Sequence, residues 1–285
     1  MLKFFKKIRQ NLISEGKMGK YLKYAIGEIF LVVIGILIAL QINTWNDNRI
    51  KNNQVKSYAI KLISDLKQDI EEVKFIKWQA KAAYLRLDSL LNYTRNLSID
   101  ECKNLDLYVL TNNARYRPYR WNRSSYEELK STGILSYFDN DSLVNLLVKY
   151  EAFTKHMDAD YLEDIELIRD ANKLIHQVVN INYIVDPFNI RITTPSSIDE
   201  VEIIDFSKSD FYIALEKQNL DFINRDKKKL DETINSFADL KFNFSTRFKH
   251  ELPRLIIDAQ TIIKLLEDLY LIENIKNGSI ERYKS

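Results

Sequence analysis

The sequence predicts an all-α protein: an N-terminal transmembrane helix followed by an antiparallel bundle of about four long helices with short extra helices. Three observations lead there. The first is a shortage of chain punctuation, with 6 glycines and 4 prolines in 285 residues, where average usage would give roughly 20 and 14. No glycine occurs between Ile134 and Asn277. Phosphate loops, tight hairpins and nucleophile elbows need backbone positions that glycine fills best, so nucleotide-binding α/β folds and turn-rich β folds fit poorly. The second is one uninterrupted apolar stretch near the N-terminus. The third is the recurrence of apolar residues at steps of three and four along most of the remaining chain.

Charged residues make up 29% with a formal net charge of +2, so the chain is neither of disordered composition nor strongly basic. Cys102 is the single cysteine, which excludes an intramolecular disulfide and a cysteine-based zinc site and leaves the redox compartment undecided.

The order along the chain begins with residues 1–23, a basic segment. Leu2, Phe4, Phe5, Ile8, Leu12 and Ile13 would form the apolar side of a short interfacial helix whose lysines face anionic lipid. Residues 24–42, YAIGEIFLVVIGILIALQI, form the predicted span. As a helix they extend about 28 Å, close to a hydrocarbon core of about 30 Å. Tyr21 and Tyr24 on one side and Trp45 on the other are placed as interfacial anchors. The residues after Leu40 lack a small-x-small cleavage pattern, so the segment reads as an uncleaved anchor. More lysines and arginines precede the span than immediately follow it, which orients the N-terminus to the cytoplasm and the domain 43–285 outside.

Inside the span, Gly35 and Ala39 make a small-xxx-small pair, with Gly27 on roughly the same face, a pattern that lets membrane helices approach closely. Glu28 lies about one turn inside the boundary. It either marks a proton or ion route or reaches the headgroup layer or a nearby lysine.

The run FFKKIRQNLISEGKMGKYLKYAIGEIFLVVIGILIALQINTWND, with Tyr24 to Glu28 and Gln41 to Asn46 as its landmarks, resembles the N-terminal signature of a Bacteroidota membrane-protein family of unknown function, domain of unknown function 6090. The segment Tyr126 to Gly133 with Ile134 and Leu135 is similar to that family's second landmark. The resemblance implies a single-pass inner-membrane protein of Gram-negative cells. It supplies no activity and no role for Glu28 or Gly35.

Beyond the span, Val55, Ala59, Leu62, Leu66, Ile70, Val73, Ile76, Ala80, Leu87 and Leu91 mark one long helix to about Asn92, which would continue the membrane helix as a stalk. Ser98 with Glu101 has capping-box spacing and predicts a short helix to about Leu110. Residues 112–125 are a connector, and Ser124 and Ser125 with Glu127 and Glu128 offer caps for a short helix ending at Gly133. A second long helix begins at Asp139 to Asp141 and runs to about Val179. Residues 180–207, with Pro187 and Pro195, are irregular, and 190–194 and 201–204 are either short strands or extended loop. A third long helix is expected from Lys208 to His250, broken by Pro253, with a last helix from Arg254 to Lys276 ending at Gly278.

The chemistry is sparse. The sequence has 3 histidines and no Glu-x-x-His pair, so the di-metal bundle pattern is missing. His250 to Arg254 carries arginine where a zincin has its second histidine, and Pro253 breaks the helix that motif needs. His156, Asp160 and Asp164 succeed one another at one-turn spacing and could hold a metal, although an exposed polar stripe is the better reading; no metal and no cofactor is expected.

The richest candidate is 115–126, where Arg115, Arg117, Arg120 and Arg123 interleave with Tyr116, Tyr119, Trp121 and Tyr126. Guanidinium forks suit carboxylate or phosphate, and the rings could stack on a ligand; the alternative is that the arginines pair with acidic neighbours while the rings plug the bundle. Arg115, Arg117, Arg120, Trp121, Arg123 and Tyr126 are therefore the ligand or partner candidates, and Gly27, Glu28, Gly35 and Ala39 the membrane-association candidates. The expectation is a non-enzymatic, membrane-anchored sensor or scaffold. Its partners are the lipid bilayer, a second copy through the membrane helix and another membrane protein, and not nucleic acid. The alternatives are a membrane-bound hydrolase and an ion-conducting or motor accessory subunit that uses Glu28.

Overall fold

The structure, a computed structural model, describes residues 18–95, 97–186, 190–193 and 200–270. The predicted interfacial helix at 2–13, Pro187, Pro195, Gly278, the end of the last helix and the side chains of Tyr21 and Tyr24 lie outside the described residues. The chain divides into two compact units, Met1–Ser57 and Tyr58–Ser285.

The elements are helical. In order they are α1 (Met18–Arg95), α2 (Asn104–Thr111), α3 (Ser124–Ser131), a 3-10 turn (Ile134–Tyr137), α4 (Asp141–Ile175), a 3-10 turn (Phe206–Lys208), α5 (Asp210–Glu216), α6 (Lys227–Thr246), a π-helical turn (Arg247–Glu251) and α7 (Leu252–Tyr270). One isolated antiparallel bridge, Thr193 with Ile203, joins the two segments that could have been strands, supported by Ile204 N–H donating to Ile192 O at 3.0 Å. Neither becomes a strand.

In the first unit α1 is exposed on all sides through the apolar run: Ile29, Phe30, Leu31, Leu37, Leu40 and Ile42 are each about 60% accessible. Thr44 Oγ1 donates back to Leu40 O at 2.9 Å, and Arg49 lies over the Trp45 ring at 5.7 Å, both contacts within the helix. The window from Ala25 on is long and apolar enough to cross a membrane.

In the second unit the predicted stripe is buried: Ala59, Leu62, Leu66, Val73, Ile76, Ala80 and Leu87 face the core. α4 starts where Asn140 Oδ1 accepts from Leu143 N–H at 2.8 Å, and its stripe Leu143, Leu147, Tyr150, Met157, Ala171 and Ile175 is buried as well. α4 packs along both α6 and α7. Direction follows from long-range pairs. Lys67 reaches Glu267 at 3.3 Å, Tyr84 packs on Phe248 and Lys241 pairs with Asp88, so α6 and α7 run antiparallel to α1. Phe138 meets Tyr270 and Arg254 lies over Phe153, so they run antiparallel to α4 as well.

Three local expectations are corrected. The third long helix does not begin at Lys208: α5 ends at Glu216, Asn219 turns with φ +49°, and α6 restarts only where Asp226 Oδ1 accepts from Lys228 and Lys229 N–H at 2.9 and 3.2 Å. Pro253 does not break the bundle helix. The buried positions step from Phe244 to Arg247 and then by five residues to Leu252, Leu255 and Ala259. That extra residue is taken up as the π turn, which carries the helix past the proline's missing N–H with its apolar face still on α4. The serine caps also fail to form. Ser98 and Glu101 do bond (N–H and Oγ to Oε2, 2.7 and 2.8 Å), but they close a turn before α2, whereas α3 has no side-chain cap because its cap position is Arg123 and both serines already lie inside the helix; Glu128 accepts from Tyr58 Oη at 2.7 Å. Gly133, at φ +72°, ends α3 in the left-handed conformation that glycine adopts without a Cβ penalty.

Candidate functional site

The connector between α2 and α3 is the structural surprise of the second unit. It runs back along α1 in extended form and fills a place in the bundle that a helix would otherwise take. Its backbone cannot satisfy itself as a helix does, so buried polar groups must come from neighbours. α1 supplies them. Arg86 Nη1 donates to Val109 O and Asn112 O at 2.8 and 2.6 Å, Gln79 Oε1 accepts from Arg117 N–H at 3.1 Å, and Asp69 Oδ1 accepts from Asn122 N–H and Nδ2 at 2.9 Å each. These three polar interruptions of an otherwise apolar stripe thus have a common cause.

The candidate arginines separate into two groups. Arg117 pairs with Glu72 and stacks on Phe75 at 4.3 Å. Arg123 reaches Asp158 at 2.7 Å and Thr154 Oγ1 at 3.2 Å, Trp121 Nε1 donates to the same Asp158 at 2.9 Å, and Tyr126 is buried. Arg117, Trp121 and Arg123 hold the connector to α1 and α4, and Tyr126 follows in α3. Arg115 and Arg120 are exposed and form no ion pair among the described residues. Tyr116 and Tyr119 point inward; Tyr116 packs edge-on against Tyr161 and Phe244, and Tyr119 stacks on Trp121 at 5.1 Å.

A buried ionic network lies beneath the connector. Asp164 is fully buried. Its Oδ2 accepts from Tyr116 Oη at 2.6 Å and Arg247 Nε at 3.1 Å, and its Oδ1 accepts from Asn243 Nδ2 at 2.8 Å. Arg247, on the π turn, also reaches Glu251 at 2.6 Å and Asp160 at 3.0 Å. Burial works against the Arg247 charge, but the bond to Glu251 and the nearby Asp164 hold its pKa above the usual arginine value. Desolvation raises the Asp160 carboxyl above its ordinary range, an effect opposed by Arg247. The expected exposed stripe of His156, Asp160 and Asp164 is therefore corrected: only His156 is exposed, because the other two face α6, the π turn and α7 across the core. His156, Asp160 and Glu251 place donor atoms within 4.8 Å of one another. The Arg247 guanidinium already occupies the cationic position between the two carboxylates.

An open concavity lies elsewhere, at the C-terminal ends of α2 and α4. It is a cleft of about 290 Å³. Thr111, Asn112 and Arg115 form one side, Asn172 and His176 of α4 the other, and Phe237, Ile168 and Ile181 supply apolar surface. Asn113, at φ +57°, bends the chain into this wall. Asn112 Nδ2 is buried without a hydrogen-bond partner among the described residues. Arg86, which holds the Asn112 carbonyl from behind, has carbonyl partners alone among the described residues, and desolvation brings its pKa down to about 10. Of the residues singled out in the sequence, only Arg115 reaches the cleft. Asn112, Asn172, His176 and Arg86 were missed, and only the isolated positive charge of Arg86 inside an apolar stripe could have signalled them.

The model of the family of unknown function DUF6090 matches residues 28–168. That is about half of the chain, running from the apolar helix through α4, and it agrees with the resemblance seen in the N-terminal run. No curated protein and no solved structure matches this chain.

Proposed function

We propose that the protein is a single-pass membrane protein whose helical domain lies outside the cytoplasm and acts as a non-enzymatic ligand sensor or scaffold, with the bacterial inner membrane as its location. One observation carries the anchor: the apolar run of α1 is exposed on every side. Removing each large apolar side chain from water is worth roughly 1.5–3 kcal/mol, so about ten such residues represent tens of kcal/mol that lipid would supply. Absence of a cleavage pattern after Leu40 and the uninterrupted helix into residues 43–95 support an anchor over a signal.

Support for a binding rather than catalytic role comes from how the ionisable groups are used. Of the buried carboxylates, Asp164 is engaged with Arg247, Tyr116 and Asn243, Asp69 with Asn122 of the connector, and Glu151 with Arg123 and Lys155, while the polar lining of the cleft is made of amides, the hydroxyls of Tyr108 and Thr111, Arg115 and His176. Self-association through the membrane helix draws on Gly27, Gly35 and Ala39. A Cβ added at either glycine meets nothing within 4 Å, so this face is open to a second helix.

The test is alkaline carbonate extraction followed by affinity purification from native membranes. The protein should stay in the pellet and bring a membrane partner or a second copy with it. Release into the alkaline supernatant would sink the anchor, and a strictly monomeric protein at high concentration in mild detergent would sink the self-association.

A further inference from the structure

We infer that the cleft between the ends of α2 and α4 binds a small organic anion, a carboxylate or phosphate carried on an apolar body. The inference deepens the sensor reading above and rests on it for its biological sense, but not for its chemistry.

Four observations converge. The first is shape: about 290 Å³ is at the lower edge of the volumes that small-molecule sites take, enough for a ring or a short chain with one charged group. The second is charge. Among the described residues the lining holds Arg115 and His176 and no carboxylate, in a chain that is nearly neutral as a whole. Arg115 is exposed and in no ion pair among the described residues, so its guanidinium fork is available for bidentate contact.

The third is the buried Arg86. It is 7% accessible, and its hydrogen bonds go to the carbonyls of Val109 and Asn112 rather than to a carboxylate. A desolvated guanidinium without a counter-ion leaves positive potential in the wall it supports, and it also neutralises the carbonyls at the end of α2, which would otherwise repel an anion. The fourth is the unpartnered Nδ2 of Asn112, a buried donor on the same wall. The apolar surface of Phe237, Ile168 and Ile181 then faces the remainder of the ligand.

The experiment uses the full chain in lipid nanodiscs and three water-soluble probes of one ring size: benzoate, phenyl phosphate and neutral benzyl alcohol. Binding is measured by titration calorimetry. At least one anion should bind and benzyl alcohol should not, and the stronger anion identifies carboxylate or phosphate as the preferred group. Arg115→Ala should weaken the anion at least tenfold, whereas Arg120→Ala, which removes an equally exposed arginine from the same connector outside the cleft, should leave it unchanged. Asn172→Leu, which fills the cleft, should abolish binding.

Equal binding of benzyl alcohol, no anion binding at millimolar concentration, or equal weakening by Arg115→Ala and Arg120→Ala would each overturn the assignment. Release of inorganic phosphate from phenyl phosphate would keep the cleft and sink the non-enzymatic reading. Membrane extraction and partner capture test the anchor and scaffold without reference to the cleft.

Discussion

Replacing Asp164 by alanine should be the most damaging single change in the bundle. The carboxylate is fully buried and accepts from Tyr116, Asn243 and Arg247. Its loss strands a phenol and an amide, each worth about 1 kcal/mol as a hydrogen bond and about 1–3 kcal/mol if left unsatisfied. It also removes one of three carboxylates around Arg247, and breaking a buried pair typically costs about 3–5 kcal/mol. Because Asp160 and Glu251 still hold the guanidinium, little of that pair penalty is incurred, and the two stranded groups set a loss of about 3–5 kcal/mol. In a unit of this size that lowers the melting temperature by roughly 6–20 °C. The assay is thermal unfolding of the full chain in nanodiscs by near-ultraviolet circular dichroism. Asp170→Ala serves as control; Asp170 is exposed and pairs with Lys173 on its own helix, so its loss should not move the midpoint. A melting temperature for Asp164→Ala within about 2 °C of the wild type would refute the network's role.

Four further outcomes are expected. Desolvation raises the Asp69 carboxyl above its ordinary 3.8, so in the folded state it holds its proton to higher pH than in the unfolded chain; its contribution to stability is full below 3.8 and falls as pH rises through the raised value. Asp69→Asn, which keeps the acceptor for Asn122, should therefore gain on the wild type as pH rises across that window and then hold a constant lead; a lead independent of pH would refute it. Gly133→Ala should cost about 1–2 kcal/mol in urea unfolding, a purely backbone effect because its Cβ meets nothing within 4 Å, and Gly133→Asn should cost less. Gln79→Ala removes the acceptor of the Arg117 N–H and should cost about 1–3 kcal/mol in the same assay. Cys102 is buried and burial pushes its thiol pKa up, so alkylation should be slow in the native protein and should accelerate along the urea unfolding curve; labelling of the native protein at the rate of a free thiol would show the site open.

The periodic parts of this fold were legible because periodicity is local. Leu62, Leu66, Val73 and Ile76 announce one face of α1, and Asn140 announces the start of α4, each within a few residues of itself. What could not be read depends on distant partners. Asp160 and Asp164 look like a solvent-facing stripe until α6 and the π turn, some eighty residues later, place Arg247 against them. Pro253 signals a break by every local rule, and only the five-residue step from Arg247 to Leu252 shows how the helix passes it. In the connector the chemistry was legible and its destination was not: Arg117, Trp121 and Arg123 hold the bundle together, while Arg115 alone reaches the cleft. Asn172 and His176 carry no sequence signal, because amides and a lone histidine at a helix end are ordinary.

The extended connector has a consequence for what lengths of chain this fold can accept. From Asn112, bound at Arg86, to Asn122, bound at Asp69, ten residues cover a stretch of α1 that is 17 residues long, or about 26 Å at 1.5 Å per residue. That is about 2.6 Å per connector residue, an extended path that stays below the roughly 3.3–3.6 Å of a fully stretched chain. Deleting one residue would raise this to about 2.9 Å, still within reach, but out of register, so that Tyr116 or Tyr119 leaves its inward-facing position. Inserting one would shift Tyr116 and Tyr119 off the inward-facing side and turn Arg117 or Arg120 into the core. A segment with every outward sign of a permissive loop is thereby fixed in length as tightly as a core helix. Insertions and deletions among related sequences should gather instead in 217–225, between α5 and α6.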